Sequence, residues 1–208
     1  MGFLLDADTL IQAKNTYYAF DLCPGFWAFL ERERAAGAML SIHRVRLELE
    51  AGNDELAAWA RTQGDAFFIG ETAATATSME QVSQWVQAGN FTDEAKRTFF
   101  GGADPFLIAQ ALADGHTVVS HEVHVEGQRN KVKIPTVCRG LGVPCELTFN
   151  ALRQRGAVLL EIALPGSAVD RPTIPGSPAQ ARMRAFVGSY GARNDTLAGN
   201  RSVAISTS

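Results

Sequence analysis

The chain has 208 residues, of which 46% are hydrophobic and 20% charged, and its formal net charge is −3 at pH 7. This size and composition suit one globular domain with a real core and room for an extra element or tail. The slight negative charge argues against a broadly basic nucleic-acid binder, although a cluster of acidic metal ligands would mask local basicity.

The first half of the chain predicts alternating short strands and helices. A buried strand over residues 2–5 is followed by the aromatic segment CPGFWAFL, whose apolar residues recur at helical spacing in a helix over FWAFLERERAA. A short strand over 38–41 leads into a helical turn, and NDELAAWARTQG predicts a helix capped by Asn53 or Asp54 and stopped by Gly64. The segment AFFIG is a candidate for another strand.

The second half is richer in helices. The segment SMEQVSQWVQAG opens with the capping-box pattern of Ser78 and Gln81, and Thr92 is the expected N-cap of the next helix. ADPFLIAQALADG places Asp104 as an N-cap and Pro105 at the first helical position. Strands are predicted in HTVVSHE and GVPCEL, with a helical turn between them. This order predicts a three-layer α/β fold with a mainly parallel central sheet flanked by helices.

The composition changes after Leu164. From there the chain is rich in proline, glycine, serine and small polar residues and has few apolar anchors. We therefore expect a domain over residues 1–163 and a flexible or disordered C-terminal tail over 164–208.

The cysteines and the hydropathy pattern bear on the compartment. Cys23, Cys138 and Cys145 form no C-x-x-C pair, and no signal-peptide pattern opens the chain. No uninterrupted apolar run approaches the roughly 18 residues that a membrane span needs. We expect a cytoplasmic protein with free thiols, no zinc site and no membrane partner.

Acidic side chains recur close to the ends of the predicted strands. Asp6 and Asp8 follow the first strand, and Glu122 follows the strand in HTVVSHE. Glu48 lies on the helix after AMLSI, and Asp104 begins the helix that leads into HTVVSHE. Because ligands bind beyond the carboxyl ends of parallel strands, these side chains could meet at one edge of the sheet. Oxygen-only ligands suit Mg²⁺ or Mn²⁺, and such ions can promote phosphodiester hydrolysis.

Each of these carboxylates also has a purely structural interpretation. An aspartate after a strand, such as Asp6, is often a turn or cap residue, and Asp104 is well placed as an N-cap. Glu122 could be an ordinary charge at a strand end. Glu48 is harder to explain in this way, because it shares a helical face with the apolar Val45.

Other motifs point to no cofactor. His121 and His124 in HEVH are three residues apart beside a strand, so they lack the spacing of a zinc-protease helix and are expected at the surface. Neither the P-loop pattern nor G-x-G-x-x-G occurs, so a glycine-rich loop for nucleotide phosphates has no support.

The opening LLDADTL resembles the first motif of haloacid dehalogenase-like phosphatases, in which an apolar strand ends in D-x-D-x-T. That resemblance would make Asp6 the nucleophile, Asp8 the acid and base, and Ser120 the phosphate-binding hydroxyl. The family also needs a late acidic motif for Mg²⁺, whereas the chain offers only isolated acids after Glu122. The resemblance stops at this heptapeptide.

A second resemblance covers residues 3 to about 155. The blocks LLDADTLIQAKN, VRLELEAGNDELAAWA, ADPFLIAQALADGHTVVSHE and KIPTVCRGLGVPCE resemble PIN-domain proteins, in a PIN-like branch related to VapC-type toxin ribonucleases. The match is specific because four separate motifs occur in the same order. It implies a three-layer α/β fold with a parallel sheet and an acidic metal site.

The PIN resemblance assigns the site residue by residue. It implies that Asp6, Glu48 and Asp104 are metal ligands and that Glu122 stands in the region of the fourth ligand, where many PIN domains have an aspartate. Ser120 stands where a serine or threonine commonly positions water or substrate.

The same resemblance implies a function. It is that of a divalent-metal-dependent endoribonuclease that uses Mg²⁺ or Mn²⁺ and leaves a 5′-phosphate and a 3′-hydroxyl, as the toxin of a toxin–antitoxin pair. Asp8 falls where the family often has asparagine, which implies a supporting role behind the ligands. An alternative from another class is a non-catalytic PIN scaffold that binds RNA or protein. CPGFWAFL is a candidate contact for an antitoxin or for a second copy of the chain.

The charge balance is compatible with RNA. The formal charge is −3 and the five acids contribute −5, so the rest of the chain carries +2. The segment EGQRNKVK, with Arg129, Lys131 and Lys133, is the best candidate for contact with an RNA backbone, and a solvated loop is the alternative.

Overall fold

The computed structural model describes residues 1–159. The strands are β1 (Phe3–Leu5), β2 (Met39–Ile42), β3 (Phe68–Ile69), β4 (Thr117–Val119) and β5 (Cys145–Glu146). The helices are α1 (Ala7–Gln12), a π-helix (Ala13–Tyr17), α2 (Pro24–Ala35), α3 (His43–Glu50), α4 (Glu55–Phe67), α5 (Ala73–Ala88), α6 (Asp93–Gly101), α7 (Asp104–Asp114), α8 (Ile134–Leu141) and α9 (Thr148–Gln154). The tail predicted over 164–208 lies outside the described residues.

The five strands form one parallel sheet in the order β3-β2-β1-β4-β5. Phe3 at the start of the central strand pairs with Met39 on one side and with Thr117 on the other. All carboxyl ends therefore lie at the same edge of the sheet, and helices flank the strands. This confirms the predicted α/β fold with a parallel central sheet flanked by helices.

The core explains why the strands are so apolar. Leu4 and Leu5 of β1 and Val118 and Val119 of β4 are almost wholly buried, as expected for a parallel sheet covered on both faces. Trp27 and Trp59 lie in the same core with their ring centroids 5.0 Å apart, as the helical spacing predicted.

The aromatic segment CPGFWAFL is part of this core. Phe26, Trp27 and Phe29 on α2 are at most 3% exposed. These aromatic side chains are packed inside the domain, so a contact of this segment with an antitoxin or a second copy stays a prediction that would use its exposed residues.

Some helix boundaries differ from the prediction. Helix α5 begins at Ala73 rather than at Ser78, because Thr72 and Thr75 form a reciprocal capping box earlier in the chain. Asp54 caps α4 as predicted and accepts a hydrogen bond from the Ala57 amide. Gly64 kinks this helix with a φ of 54°, but helical residues continue to Phe67.

The three cysteines are free thiols, as predicted. Within residues 1–159, no helix is long and apolar enough to cross a membrane.

Candidate active site

The parallel sheet brings the predicted acids together although they come from distant parts of the sequence. A cleft of about 650 Å³ is lined by Asp8, Glu48 and Asp104. The charges of Asp6 and Glu122 also act on Asp104, so these residues lie close to the same cleft. One candidate site therefore contains all five carboxylates that the sequence singled out.

Asp6 combines a structural and a chemical role. It is the N-cap of α1, and its Oδ1 accepts a hydrogen bond of 2.6 Å from the Thr9 amide. The side chain is buried, and this burial raises the pKa of Asp6 to about 6, although hydrogen bonds from Ser120 and Thr9 partly oppose the shift. The cap interpretation is thus correct, and it leaves a carboxylate whose charge is poorly solvated.

Asp104 is not the N-cap that the sequence predicted. The N-cap of α7 is Ala103, whose backbone is in the right-handed helical region, and no side-chain capping hydrogen bond forms there. Burial and, after it, the charges of Asp6, Glu122 and Glu48 raise the pKa of Asp104 to about 7. The carboxylate therefore lies in a negative environment without a capping role.

Glu48 reaches the start of α7 from α3. Its Oε1 accepts a hydrogen bond of 2.7 Å from the Ala103 amide, which lies 55 positions further along the chain. Val45, on the same face of α3, is buried in the core, whereas Glu48 is exposed to the cleft. Helix α3 thus buries the Val45 side chain in the core and exposes the Glu48 side chain, one turn later, to the cleft.

Glu122 follows β4, and each of its two carboxylate oxygens has a partner. Its Oε2 accepts a hydrogen bond of 2.9 Å from the Ile134 amide at the start of α8, and its Oε1 lies 2.6 Å from Lys131 Nζ. Ser120 is buried, and its hydroxyl accepts a hydrogen bond of 3.1 Å from the Glu122 amide while it also bonds to Asp6. Ser120 thus links these two carboxylates.

The basic residues of the segment EGQRNKVK have different partners in the structure. Lys131 lines the cleft and pairs with Glu122, whereas Arg129 donates a hydrogen bond of 3.2 Å to the Asn90 carbonyl. Lys131 is therefore a counter-charge inside the acidic site. The sequence placed it only in a basic loop, because nothing local indicates which way a loop lysine points.

Sequence reasoning missed Gln128, which also lines the cleft. Its buried Oε1 has no hydrogen-bond partner among the described residues, although buried polar atoms are nearly always paired. The loop position of Gln128 offers no pattern that would have identified it.

A divalent cation suits this site in charge and donor type. The donors are carboxylate and amide oxygens, the atoms that Mg²⁺ and Mn²⁺ prefer, and a cation would relieve the repulsion that raises the pKa of Asp104. As they are placed, no three His, Cys, Asp or Glu side chains within residues 1–159 converge as a set that could hold a metal ion. Hydrogen bonds to backbone amides and the ion pair with Lys131 hold Glu48 and Glu122 in their present positions.

Comparisons with known proteins identify the family. The VapBC2 complex of Rickettsia felis, solved with a DNA fragment from its promoter, is similar in structure with a TM-score of 0.46 at 14% sequence identity, over 71% of this chain and 98% of that one. No curated protein matches the sequence. Residues 3–159 match the family described as "Domain of unknown function (DUF4411)". Because this match spans most of the chain and all five strands, the protein belongs to the DUF4411 family.

Proposed function

We propose that the protein is a divalent-metal-dependent endoribonuclease that hydrolyses RNA phosphodiester bonds. The observation that carries the proposal is the environment of Asp104, a carboxylate that serves no capping role, faces three further acids and lines an open cleft. A fold gains nothing in stability from such an arrangement, since like charges that are close together and partly buried repel each other. A cation-dependent activity explains it.

The residues divide the work as follows. Asp6, Glu48, Asp104 and Glu122 would hold one or two Mg²⁺ or Mn²⁺ ions. A bound ion supplies an activated water and stabilises the leaving oxygen of the phosphodiester. Ser120 orients Asp6 by hydrogen bonding.

Two further cleft residues complete the assignment. Lys131 places a positive charge in the wall that an RNA phosphate would face. Asp8 is exposed in the same wall and supports the site without being a ligand.

The test is cleavage of a pool of single-stranded and structured RNA by the purified protein. We expect cleavage with Mn²⁺ that yields 5′-phosphates, and no cleavage with EDTA or with Asp6→Ala or Asp104→Ala. Glu94→Ala is the matched control, because it removes an exposed acid on α6 that pairs with Arg97. Cleavage by Asp104→Ala at the wild-type rate would overturn the assignment.

The same kind of variant separates the alternatives. In a dehalogenase-type phosphatase Asp6 would attack phosphorus, and Asp8→Ala would abolish the hydrolysis of a phosphate monoester. In the nuclease Asp8→Ala only weakens cleavage. A protein that binds RNA in EDTA and never cleaves it would be a scaffold.

We propose further that the nuclease is the toxin of a toxin–antitoxin pair, which rests on the sequence resemblance to VapC-type proteins. Expression of the wild-type chain should then arrest growth of a bacterial host, and expression of Asp104→Ala should not. Equal growth with both chains would contradict the toxin role. A solution mass equal to one chain would contradict a homodimer.

A further inference from the structure

Three aromatic rings form a partly exposed surface beside the carboxylate cleft. Tyr17 stacks on His121 with ring centroids 5.5 Å apart and an interplanar angle of 25°, and Phe149 meets Tyr17 edge-on, also at 5.5 Å. Tyr17 is 44% exposed and Phe149 is 41% exposed. We call these three residues the aromatic platform.

The platform is built from three separate elements. Tyr17 ends the π-helix, His121 follows β4 directly after Ser120, and Phe149 lies in the first turn of α9. π-Helices are rare and frequently occur at functional sites. Here the π-helix places a tyrosine ring where an α-helix of the same residues would turn it elsewhere.

Hydrogen bonds connect the platform to Asp6. His121 Nε2 lies 3.2 Å from Thr148 Oγ1, which in turn lies 3.5 Å from Thr9 Oγ1. The amide of Thr9 donates to Asp6. The platform and the first proposed metal ligand are therefore held in one bonded network.

The surroundings of the platform carry charges of both signs. The charge of the Asp8 carboxylate acts on His121, so the platform borders the cleft that Asp8 lines. Arg153 is exposed one turn after Phe149 on α9. The positive charge of Arg153 acts on Tyr18, whose ring lies 6.5 Å from Phe149. An anion beside Arg153 would thus lie within reach of the platform.

We propose that the aromatic platform binds unpaired bases of a single-stranded RNA by stacking and directs the adjoining phosphodiester into the carboxylate cleft. Every base has a flat face, so a stacking surface accepts any sequence but requires that the base be unpaired. Arg153 contributes a phosphate contact. The proposal rests on the proposed function and adds to it a binding surface for bases outside the carboxylate cleft.

Binding is tested with the full chain in EDTA, where no cleavage interferes. The probes are a fluorescent single-stranded oligoribonucleotide, its perfect duplex, and an oligomer with the same phosphates in which abasic sites replace all nucleosides. We expect the single strand to bind at least about tenfold more tightly than either of the other probes, as is typical for base stacking on aromatic side chains. Equal binding of the single strand and the abasic oligomer would overturn the proposal.

Variants locate the binding surface. Tyr17→Ala and Phe149→Ala should each weaken single-strand binding by about tenfold, whereas Tyr17→Phe keeps the ring and should bind like wild type. Leu22→Ala is the control, because it removes an exposed apolar side chain that is not part of the platform. If both alanine variants are folded by circular dichroism and bind like wild type, the platform is not an RNA surface.

The two proposals fail separately. Suppose that the wild-type protein cleaves single and double strands equally in the presence of metal and that Tyr17→Ala does the same. The proposed nuclease function would then stand, and the proposed role of the platform would be rejected. Base-dependent binding that is lost in Tyr17→Ala, without cleavage under any condition, would retain the platform and reject the nuclease.

Discussion

The starts of α1 and α7 look alike in sequence and differ in structure. At α1, Asp6 has an extended backbone and caps the helix by accepting from the Thr9 amide. At α7, Asp104 is already the first helical residue, Ala103 precedes it with a helical backbone, and the Ala103 amide is satisfied by Glu48 from another helix. A side chain caps a helix where the backbone at its own position is non-helical and typically extended.

The difference shows how other contacts at a helix start can leave a carboxylate without a structural role. Pro105 has no amide hydrogen, so the first turn of α7 has one donor fewer to satisfy. With Glu48 bonded to Ala103, the start of α7 does not depend on Asp104. The comparison predicts that Asp6 matters for both stability and activity, and Asp104 for activity alone.

The largest expected effect is the loss of activity in Asp104→Ala. Cleavage should fall by at least about a hundredfold, the upper end of what the loss of an outer-shell partner costs at a metal site. The free energy of unfolding should not fall, because the substitution removes a repelled charge and no capping bond. Urea unfolding measures the stability, and the RNA assay measures the activity. A lower free energy of unfolding in Asp104→Ala would contradict the inferred difference between Asp6 and Asp104.

The second prediction concerns pH in the absence of metal. The pKa values of Asp6 and Asp104 are about 6 and about 7 in the folded chain, above the ordinary value of 3.8, so the folded state binds more protons than the unfolded state between these limits. Stability should therefore fall as pH rises through this window. In EDTA we expect a Tm several degrees lower at pH 8 than at pH 5.

Asp104→Asn should reduce this slope, because asparagine resembles the protonated acid at every pH. Mn²⁺ at a hundredfold excess over its Kd should restore about 2.7 kcal/mol at pH 8 in wild type and less in Asp104→Asn. A wild-type Tm that rises with pH in EDTA would contradict the prediction.

A smaller effect separates two substitutions of Asp6. Asp6→Ala removes the cap of α1. Its free energy of unfolding should be about 1 kcal/mol lower than that of Asp6→Asn, because asparagine caps as well as aspartate. Neither variant should cleave RNA, because both lack the carboxylate. Equal stability of the two variants would mean that the hydrogen bond to Thr9 contributes little.

The smallest effect is expected for Glu48→Gln. Glutamine can still accept a hydrogen bond from the Ala103 amide, so the free energy of unfolding should change by no more than about 0.5 kcal/mol. Glu48→Ala loses that bond and should cost about 1 kcal/mol. Both variants should cleave RNA more slowly than wild type, and thermal unfolding distinguishes them.

The sequence was sufficient for features that depend on neighbouring residues. The apolar runs at β1 and β4, the helical spacing in α2 and the cap at Asp54 are local patterns, and the structure confirms them. The start of α5 was misplaced because Thr72 and Thr75 also form a capping box, without the glutamate or glutamine on which the sequence pattern relies.

The site was harder to predict because its contacts span the chain. The positions of Asp6 and Glu122 after strands, together with the PIN resemblance, led to the carboxylates that border the cleft. No local pattern could indicate that Glu48 bonds to Ala103 or that Lys131 turns toward Glu122.

Synthesis from the N-terminus gives the strand order a further consequence. β1 lies at the centre of the sheet and is synthesised before the other four strands. Phe3 can pair with Thr117 only after β4 has been made, and Glu122 and Lys131 are added later still. A half-made chain cannot assemble the carboxylate cleft. Under the proposed function, the nascent chain cannot cleave RNA until the residues up to Lys131 have been translated.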